Sequence, residues 1–270
     1  MASRRRNSQT GNGSFGDAFK TRFFTGLLTD SRIPGQNTGM EGGYGAKVYD
    51  LVYRWKDYDG ETKRLKEILA AHGKTSGALL DVACGTGQHM SRLKGDFAVE
   101  GLELDSEMAD IARGRGLTVH QGDMTTFHFD PRFDVVTCLF SSIGYMETPA
   151  RLAQAITNLA SFLKPDGLLV IEPWFAPDQW YDGYIHMDTI DDEKLKVARM
   201  SVSRTEGAVS VMDLHHMVAT PEGVETFVTR HRMGLFMDWE YRDAFAAAGL
   251  SVDRDEEGLM GRGLYVATFS

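Results

Sequence analysis

The stretch Leu79-Leu80-Asp81-Val82-Ala83-Cys84-Gly85-Thr86-Gly87-Gln88 decides the fold. Its first half is a short apolar run, as expected of a strand buried on both faces. Gly85 and Gly87 break the run, and helical character begins near Gln88. Glycines at such a turn let the backbone approach a ligand with no side chain in the way. The helix that follows offers free N–H groups and the positive end of its dipole. A glycine turn alone fits several ligands, so its neighbours must discriminate.

Working outward, apolar runs alternate with helical stretches. Residues 44–72 carry helical periodicity through Val48, Leu51, Val52, Trp55, Leu65, Ile68 and Leu69, with Gly73 as a stop. Strands are predicted at Ala78–Ala83, Ala98–Glu103, Leu117–His120, Phe133–Phe140 and Leu168–Ile171. Helices fall at Gln88–Lys94, at Ser106–Arg113 with Ser106 as N-cap, and over residues 149–163. Between Trp174 and Leu235 the rhythm changes to successive antiparallel strands, at Met187–Ile190, Val197–Ser203, Val209–Val218 and Val224–Met233. A helix at Asp238–Ala248 and strands near Leu250 and Leu264 restore the first pattern. The predicted class is α/β: a Rossmann-like, doubly wound, mostly parallel seven-stranded sheet with an inserted antiparallel β cap. Residues 1–39 read as a flexible tail, and Met40 opens a segment that looks like a natural protein start. Residues 40–173 and 236–270 read as a cofactor-binding domain, and residues 174–235 as a cap over the substrate.

The bulk numbers narrow the partners. Among 270 residues, 42% are hydrophobic and 25% charged, the proportions of a globular protein. A net charge of -9 repels phosphate backbones, which argues against nucleic acid. Cys84 and Cys138 form no C-x-x-C pair, so no metal site is expected and a reducing cytoplasmic setting is the simpler reading. No apolar run approaches the roughly 18 residues of a membrane span. Arg4-Arg5-Arg6 lacks the apolar segment that an export signal would need.

Three acids sharpen the ligand. A dinucleotide fingerprint wants a third glycine where this chain has Met90. Asp81 stands where an oxidoreductase usually has an apolar residue, and its carboxylate can hold the ammonium of an amino-acid-bearing cofactor. Glu103 ends the second strand, 16 positions beyond Gly87, where an acid can bind two ribose hydroxyls. In Gln121-Gly122-Asp123-Met124 the acid can accept from an adenine amino group while Met124 packs on the ring; a helix N-cap is the alternative for Asp123. Together they outline a nucleoside-shaped site.

D-x-A-x-G-x-G, G-L-E-L and Q-G-D-M are similar to the cofactor motifs of class I methyltransferases, which implies S-adenosyl-L-methionine. The match extends to Val48-Tyr49-Asp50-Leu51, Lys56-Asp57-Tyr58, Phe140-Ser141-Ser142-Ile143-Gly144-Tyr145, Ile171-Glu172-Pro173-Trp174 and Gly261-Arg262-Gly263-Leu264. From about residue 40 to the C-terminus the chain resembles the N,N-dimethyltransferases of nucleotide-linked aminodeoxysugars in macrolide pathways. The resemblance implies a cofactor site of Tyr49, Tyr58, Asp81, Ala83, Gly85, Gly87, Glu103, Leu104, Asp123, Met124 and Leu139. It implies a substrate site of Tyr44, Tyr145, Trp174 and Arg262, with Tyr145 beside the reacting amine. It also implies a TDP-linked amino sugar as small-molecule partner. Two departures fall on the substrate side. Relatives read P-W-W-F-P where this chain has Pro173-Trp174-Phe175-Ala176-Pro177, and Glu41 stands where some carry a tyrosine that Tyr44 could replace.

Other residues read more plainly. His215 and His216 alternate along a strand and face opposite sides, and Glu172 at a strand end can cap a turn. Asp253, Asp255, Glu256 and Glu257 read as a solvated edge. The alternatives are a methyltransferase for another small amine or hydroxyl acceptor, a cofactor-binding protein without activity, and a nicotinamide oxidoreductase disfavoured by Met90 and Asp81. A homodimer is compatible with the sequence.

Overall fold

The computed structural model describes residues 44–129 and 133–270. The predicted tail and the side chain of Tyr44 lie outside the described residues. The chain runs α1 (Tyr44–Val52), α2 (Tyr58–Ala71), β1 (Gly77–Val82), α3 (Gln88–Leu93), β2 (Phe97–Glu103), α4 (Ser106–Gly114), β3 (Thr118–Gln121) and β4 (Phe133–Cys138). A 3-10 turn (Ser142–Met146), α5 (Pro149–Ser161) and β5 (Leu163–Ile171) follow. Then come β6 (Ile185–Asp191), β7 (Lys196–Glu206), β8 (Val209–Thr220), β9 (Gly223–Gly234), α6 (Asp238–Ala247), β10 (Leu250–Asp255) and β11 (Leu264–Phe269).

Seven strands form one sheet in the order β10-β11-β5-β4-β1-β2-β3. All its pairs are parallel except those of β11, which runs antiparallel to β5 and β10. Successive side chains on a strand point to opposite faces, and here both faces are covered. Leu79, Val135, Leu168 and Val170 pack with Leu65 and Leu69 of α2. Their neighbours Leu80, Val136, Leu169 and Ile171 pack with Leu152, Ile156 and Leu159 of α5 and Phe245 of α6. This double burial is why the strands read as unbroken apolar runs. Each such side chain contributes roughly 1.5–3 kcal/mol when fully buried. Among the described residues no helix is long and apolar enough to cross a membrane.

Local details depart from the reading of the sequence. The first helical stretch is two helices, because Asp57 starts a new one by accepting the Gly60 N–H at 2.9 Å. The N-cap of α4 is Asp105, not Ser106; its Oδ1 accepts the Met108 N–H at 2.9 Å. β4 stops at Cys138, since Phe140 and Ser141 take positive φ of 51° and 63°.

The inserted strands make a second, wholly antiparallel sheet in the order β6-β7-β8-β9. Ile190, Val197 and Val218 on one face pack against Val48 and Val52 of α1. The opposite face exposes Ile185, Met187, Met200, Val202 and Met217.

Candidate active site

At the C-terminal end of β1 the backbone turns sharply, with Ala83, Gly85 and Gly87 at φ of 54°, 56° and 77°. The order of the sheet reverses between β1 and β4, the place where open α/β sheets bind ligands. The two glycines serve different ends. A Cβ on Gly85 would meet nothing within 4 Å, so this backbone is open to the cleft. A Cβ on Gly87 would come within 2.4 Å of the Leu117 side chain and 3.2 Å of Ala112 Cβ. Gly87 is therefore demanded by packing against α4 and the segment after it, whereas the sequence had suggested that it cleared room for a ligand. Gly101 is constrained likewise, its missing Cβ lying 2.8 Å from the sulfur of Met90.

Asp81 lies on the floor of this cleft, 2% exposed, and takes a hydrogen bond from the Thr137 hydroxyl at 2.8 Å. Tyr49, Tyr58, Ala83, Gly85 and Leu139 line the same cleft. Burial pushes the Asp81 carboxyl above the ordinary carboxylate range, and burial is the first cause of the same shift at Glu103. Glu103 spans the turn: one oxygen accepts the Gly85 N–H at 2.7 Å, the other the Asp105 N–H at 2.9 Å. Both oxygens keep further lone pairs. Next to it Leu104 stands 66% exposed, an open apolar wall.

On the next strand the Gly122 N–H donates to the Glu103 carbonyl oxygen at 2.9 Å, which sets Asp123 at the same rim. One Asp123 oxygen caps a turn, accepting the Thr125 N–H (2.8 Å) and hydroxyl (2.7 Å), and the other has no hydrogen bond among the described residues. Those two bonds, the backbone one first, hold Asp123 below the ordinary carboxylate range. Met124 is partly buried against the core. A buried acid with one bond on the floor, an open glycine backbone, a rigid carboxylate and an exposed leucine fit an adenosyl amino acid.

Helix α1 closes this site from above. Asp50 accepts from the Thr86 hydroxyl at 2.7 Å and the Gln88 amide at 3.1 Å, and pairs with Arg115. The clamp holds Tyr49 over the turn. One helical turn later Tyr53 packs on Tyr49 (centroids 4.6 Å) and edge-on to Phe140 (5.3 Å), and its hydroxyl accepts from Arg199 of β7 at 3.2 Å.

Arg262, which the resemblance assigned to substrate, stands 5.9 Å from the ring of Phe140, a residue that lines the cleft. Arg262 donates to the Ser141 hydroxyl at 2.6 Å, and its guanidinium lies 5.2 Å from the Trp174 ring and 5.1 Å from Phe175. Trp174 also anchors the second sheet, its indole N–H donating to the Ser210 hydroxyl at 2.8 Å. Glu172 caps the strained turn, accepting the Phe140 N–H at 2.7 Å. Tyr145, 42% exposed, meets Nδ1 of His231 at 2.6 Å. His215 faces outward, while His216 faces inward, stacked on Phe227 at 4.5 Å.

Residues 79–167 match a family model described as a methyltransferase domain. A Streptomyces fradiae enzyme, dTDP-3-amino-3,6-dideoxy-alpha-D-glucopyranose N,N-dimethyltransferase, is 41% identical over 82% of this chain and 89% of its own length. The chain belongs to the aminosugar N-methyltransferase family. Streptomyces venezuelae DesVI shares its fold with a TM-score of 0.78, at 40% identity over 83% of this chain and 98% of that one. CalS10, an amino pentose methyltransferase from Micromonospora echinaspora solved bound to S-adenosylmethionine, gives 0.75 at 36% identity over 88% and 100%.

The residues gathered round this cleft include some that the sequence did not single out. Tyr53 lies four positions after Tyr49, one residue past the end of α1, and its N–H still donates to the Tyr49 carbonyl oxygen at 3.0 Å; that spacing was the available signal. His231 and Arg199 carried a weaker one, since strand alternation puts His231 on the side of the buried Met233.

Proposed function

We propose that the chain binds S-adenosyl-L-methionine in this cleft and methylates the amino group of a nucleotide-linked aminodeoxysugar. The observation that carries the reading is the buried Asp81 carboxylate in a cleft lined by Tyr49, Tyr58 and the open Gly85 backbone, with Glu103 bonded to the Gly85 N–H of the same turn. When bound, the cofactor supplies a methyl group on positively charged sulfur, activated without help from the protein. Asp81 takes the ammonium of its amino-acid end, Glu103 the ribose hydroxyls, and Leu104, Asp123 and Met124 the adenine. Tyr49 and Tyr58 close over the methionine end. Arg262, with donors beyond the one given to Ser141, suits the phosphates or the sugar.

The protein's main work is alignment, which can lower such a barrier by roughly 7–11 kcal/mol. Crowding round the Tyr145 hydroxyl pushes the phenol above its ordinary pKa, so it stays neutral and orients the amine. Tyr145→Phe is expected to lower kcat about tenfold, or about 1.4 kcal/mol, with cofactor affinity unchanged. An unaltered kcat would take Tyr145 out of the site.

The reading is tested by incubating the chain with methyl-labelled cofactor and a panel of dTDP-linked 3-amino and 4-amino sugars, then weighing the products. Tight cofactor binding with no methylated amine would refute it. The free cysteines suit a reducing compartment such as the cytoplasm. The exposed outer face of the second sheet, where Ile185 pairs with Val202 and Met187 with Met200, suits a homodimer contact. A monomer mass in sedimentation equilibrium would exclude it.

A further inference from the structure

Tyr145 is held by a partner on the inserted sheet. His231 sits on β9 opposite Met212 of β8, and the strand is tied to the turn carrying Tyr145 at the next two residues also. Arg232 donates to Glu147 at 3.1 Å. Met233 crowds Gly144, where an added Cβ would lie 2.9 Å from its terminal methyl. The Ser210 hydroxyl that accepts from Trp174 donates in turn to the Met233 carbonyl oxygen at 2.9 Å. The imidazole therefore stands on a regular strand whose next two residues are held against the turn that carries Tyr145.

The direction of the Tyr145–His231 bond follows from the two groups. A phenol, of ordinary pKa about 10, is a better donor than a neutral imidazole N–H. An imidazole nitrogen, whose conjugate acid has an ordinary pKa of about 6.5, is a better acceptor than a phenol oxygen. Burial, and then the Arg199 charge, hold His231 down to about 4, so at neutral pH the ring is uncharged. The shared hydrogen belongs to Tyr145, and the ring's own hydrogen sits on Nε2.

We propose that His231 is a positioning residue for methyl transfer: by accepting the Tyr145 hydroxyl at Nδ1, it leaves the phenol oxygen free only to accept, and so to take an N–H of the substrate amine. The inference rests on the function proposed above. The nitrogen lone pair then forms the bond to the methyl carbon, the carbon–sulfur bond breaks with its electrons on sulfur, and the surplus proton on nitrogen leaves to solvent. His231 does not keep that proton, because an alkylammonium of pKa about 8–10 holds it far more tightly than this ring. A limit on the reaction also follows. Primary and secondary amines both offer an N–H to Tyr145, whereas a tertiary amine offers none, so methylation stops at two.

Nitrogen-15 spectra of histidine-labelled protein, without substrate, test the bond directly. The expected result is a neutral Nε2–H ring for His231 at pH 7, with the Nδ1 resonance moving in Tyr145→Phe. A charged ring or an Nδ1–H tautomer overturns the assignment. Kinetics with dTDP-3-amino-3,6-dideoxyglucose, or whichever panel amine the wild type methylates, test the role. His231→Leu should lower kcat by no more than the about tenfold of Tyr145→Phe, and leave the cofactor KM unchanged. His231→Asn, which keeps an acceptor near Nδ1, should stay close to wild type. Adding His231→Leu to Tyr145→Phe should cost nothing further, and a full additional loss overturns the proposal. Should the wild type methylate no amine, the proposed function fails while the spectra still decide the pair.

Discussion

Glu103→Ala is expected to weaken binding of S-adenosylmethionine, and of its demethylated product, about a hundredfold or more. Truncating one partner of a buried, hydrogen-bonded charge costs about 2–5 kcal/mol, or roughly thirtyfold to several thousandfold in Kd. Glu103 stands near the middle of that range because it does two things. It offers lone pairs to the ribose hydroxyls, and it ties the Gly85 and Asp105 N–H groups into one rigid rim. Alanine removes the first and leaves both N–H groups unpaired. Glutamine is no rescue, since its NH2 would face one of those donors. Titration calorimetry measures the loss, with thermal melting to show that the variant is folded. Wild-type affinity in folded Glu103→Ala would remove the ribose assignment.

The parallel sheet was readable because its strands are covered on both faces. Leu79 and Leu80 face opposite helical layers, and that leaves an apolar run in the sequence. Where two local signals compete, only the tertiary structure chooses between them. Asp105 and Ser106 are both good N-caps, and the one whose carboxylate reaches Met108 wins. Trp55 kept the periodicity of residues 44–72 in phase, yet it is 58% exposed and lies in the break between two helices.

The placement of the three acids was readable for a similar reason: Asp81, Glu103 and Asp123 stand at or just beyond the ends of β1, β2 and β3, so spacing along the chain carries their positions. The division of labour between Gly85 and Gly87 was not, because it depends on Leu117 and Ala112 approaching from the next helical layer. His231 lies 86 residues from Tyr145, and strand alternation could supply its side but not its partner. The residues proposed for the substrate are held by such long-range meetings, Trp174 with Ser210 and Arg262 with Ser141 among them.

Asp81→Asn is expected to make the free protein more stable and the bound protein worse. Asp81 is a buried carboxylate held by the Thr137 hydroxyl, and its raised pKa means that ionisation costs free energy in the empty site. Asparagine has the same shape, keeps an oxygen for Thr137 and removes the charge. Stability of the free protein should rise by roughly 1 kcal/mol, or about 2–4 °C in Tm. The sign with pH follows from the raised folded value. The wild type loses stability as pH rises past the ordinary carboxylate pKa of about 3.9, until Asp81 is ionised in the folded state too. The advantage of the substitution is thus full above the raised folded pKa, shrinks on acidification, and vanishes where Asp81 is protonated in the folded and unfolded chains alike. With cofactor the order reverses. Losing the carboxylate opposite the ammonium should weaken binding about thirtyfold or more, some 2 kcal/mol. Saturating ligand then raises the wild-type Tm past that of the variant. A variant that melts below the wild type without ligand, yet binds the cofactor equally well, would mean that Asp81 serves the fold and not the ammonium.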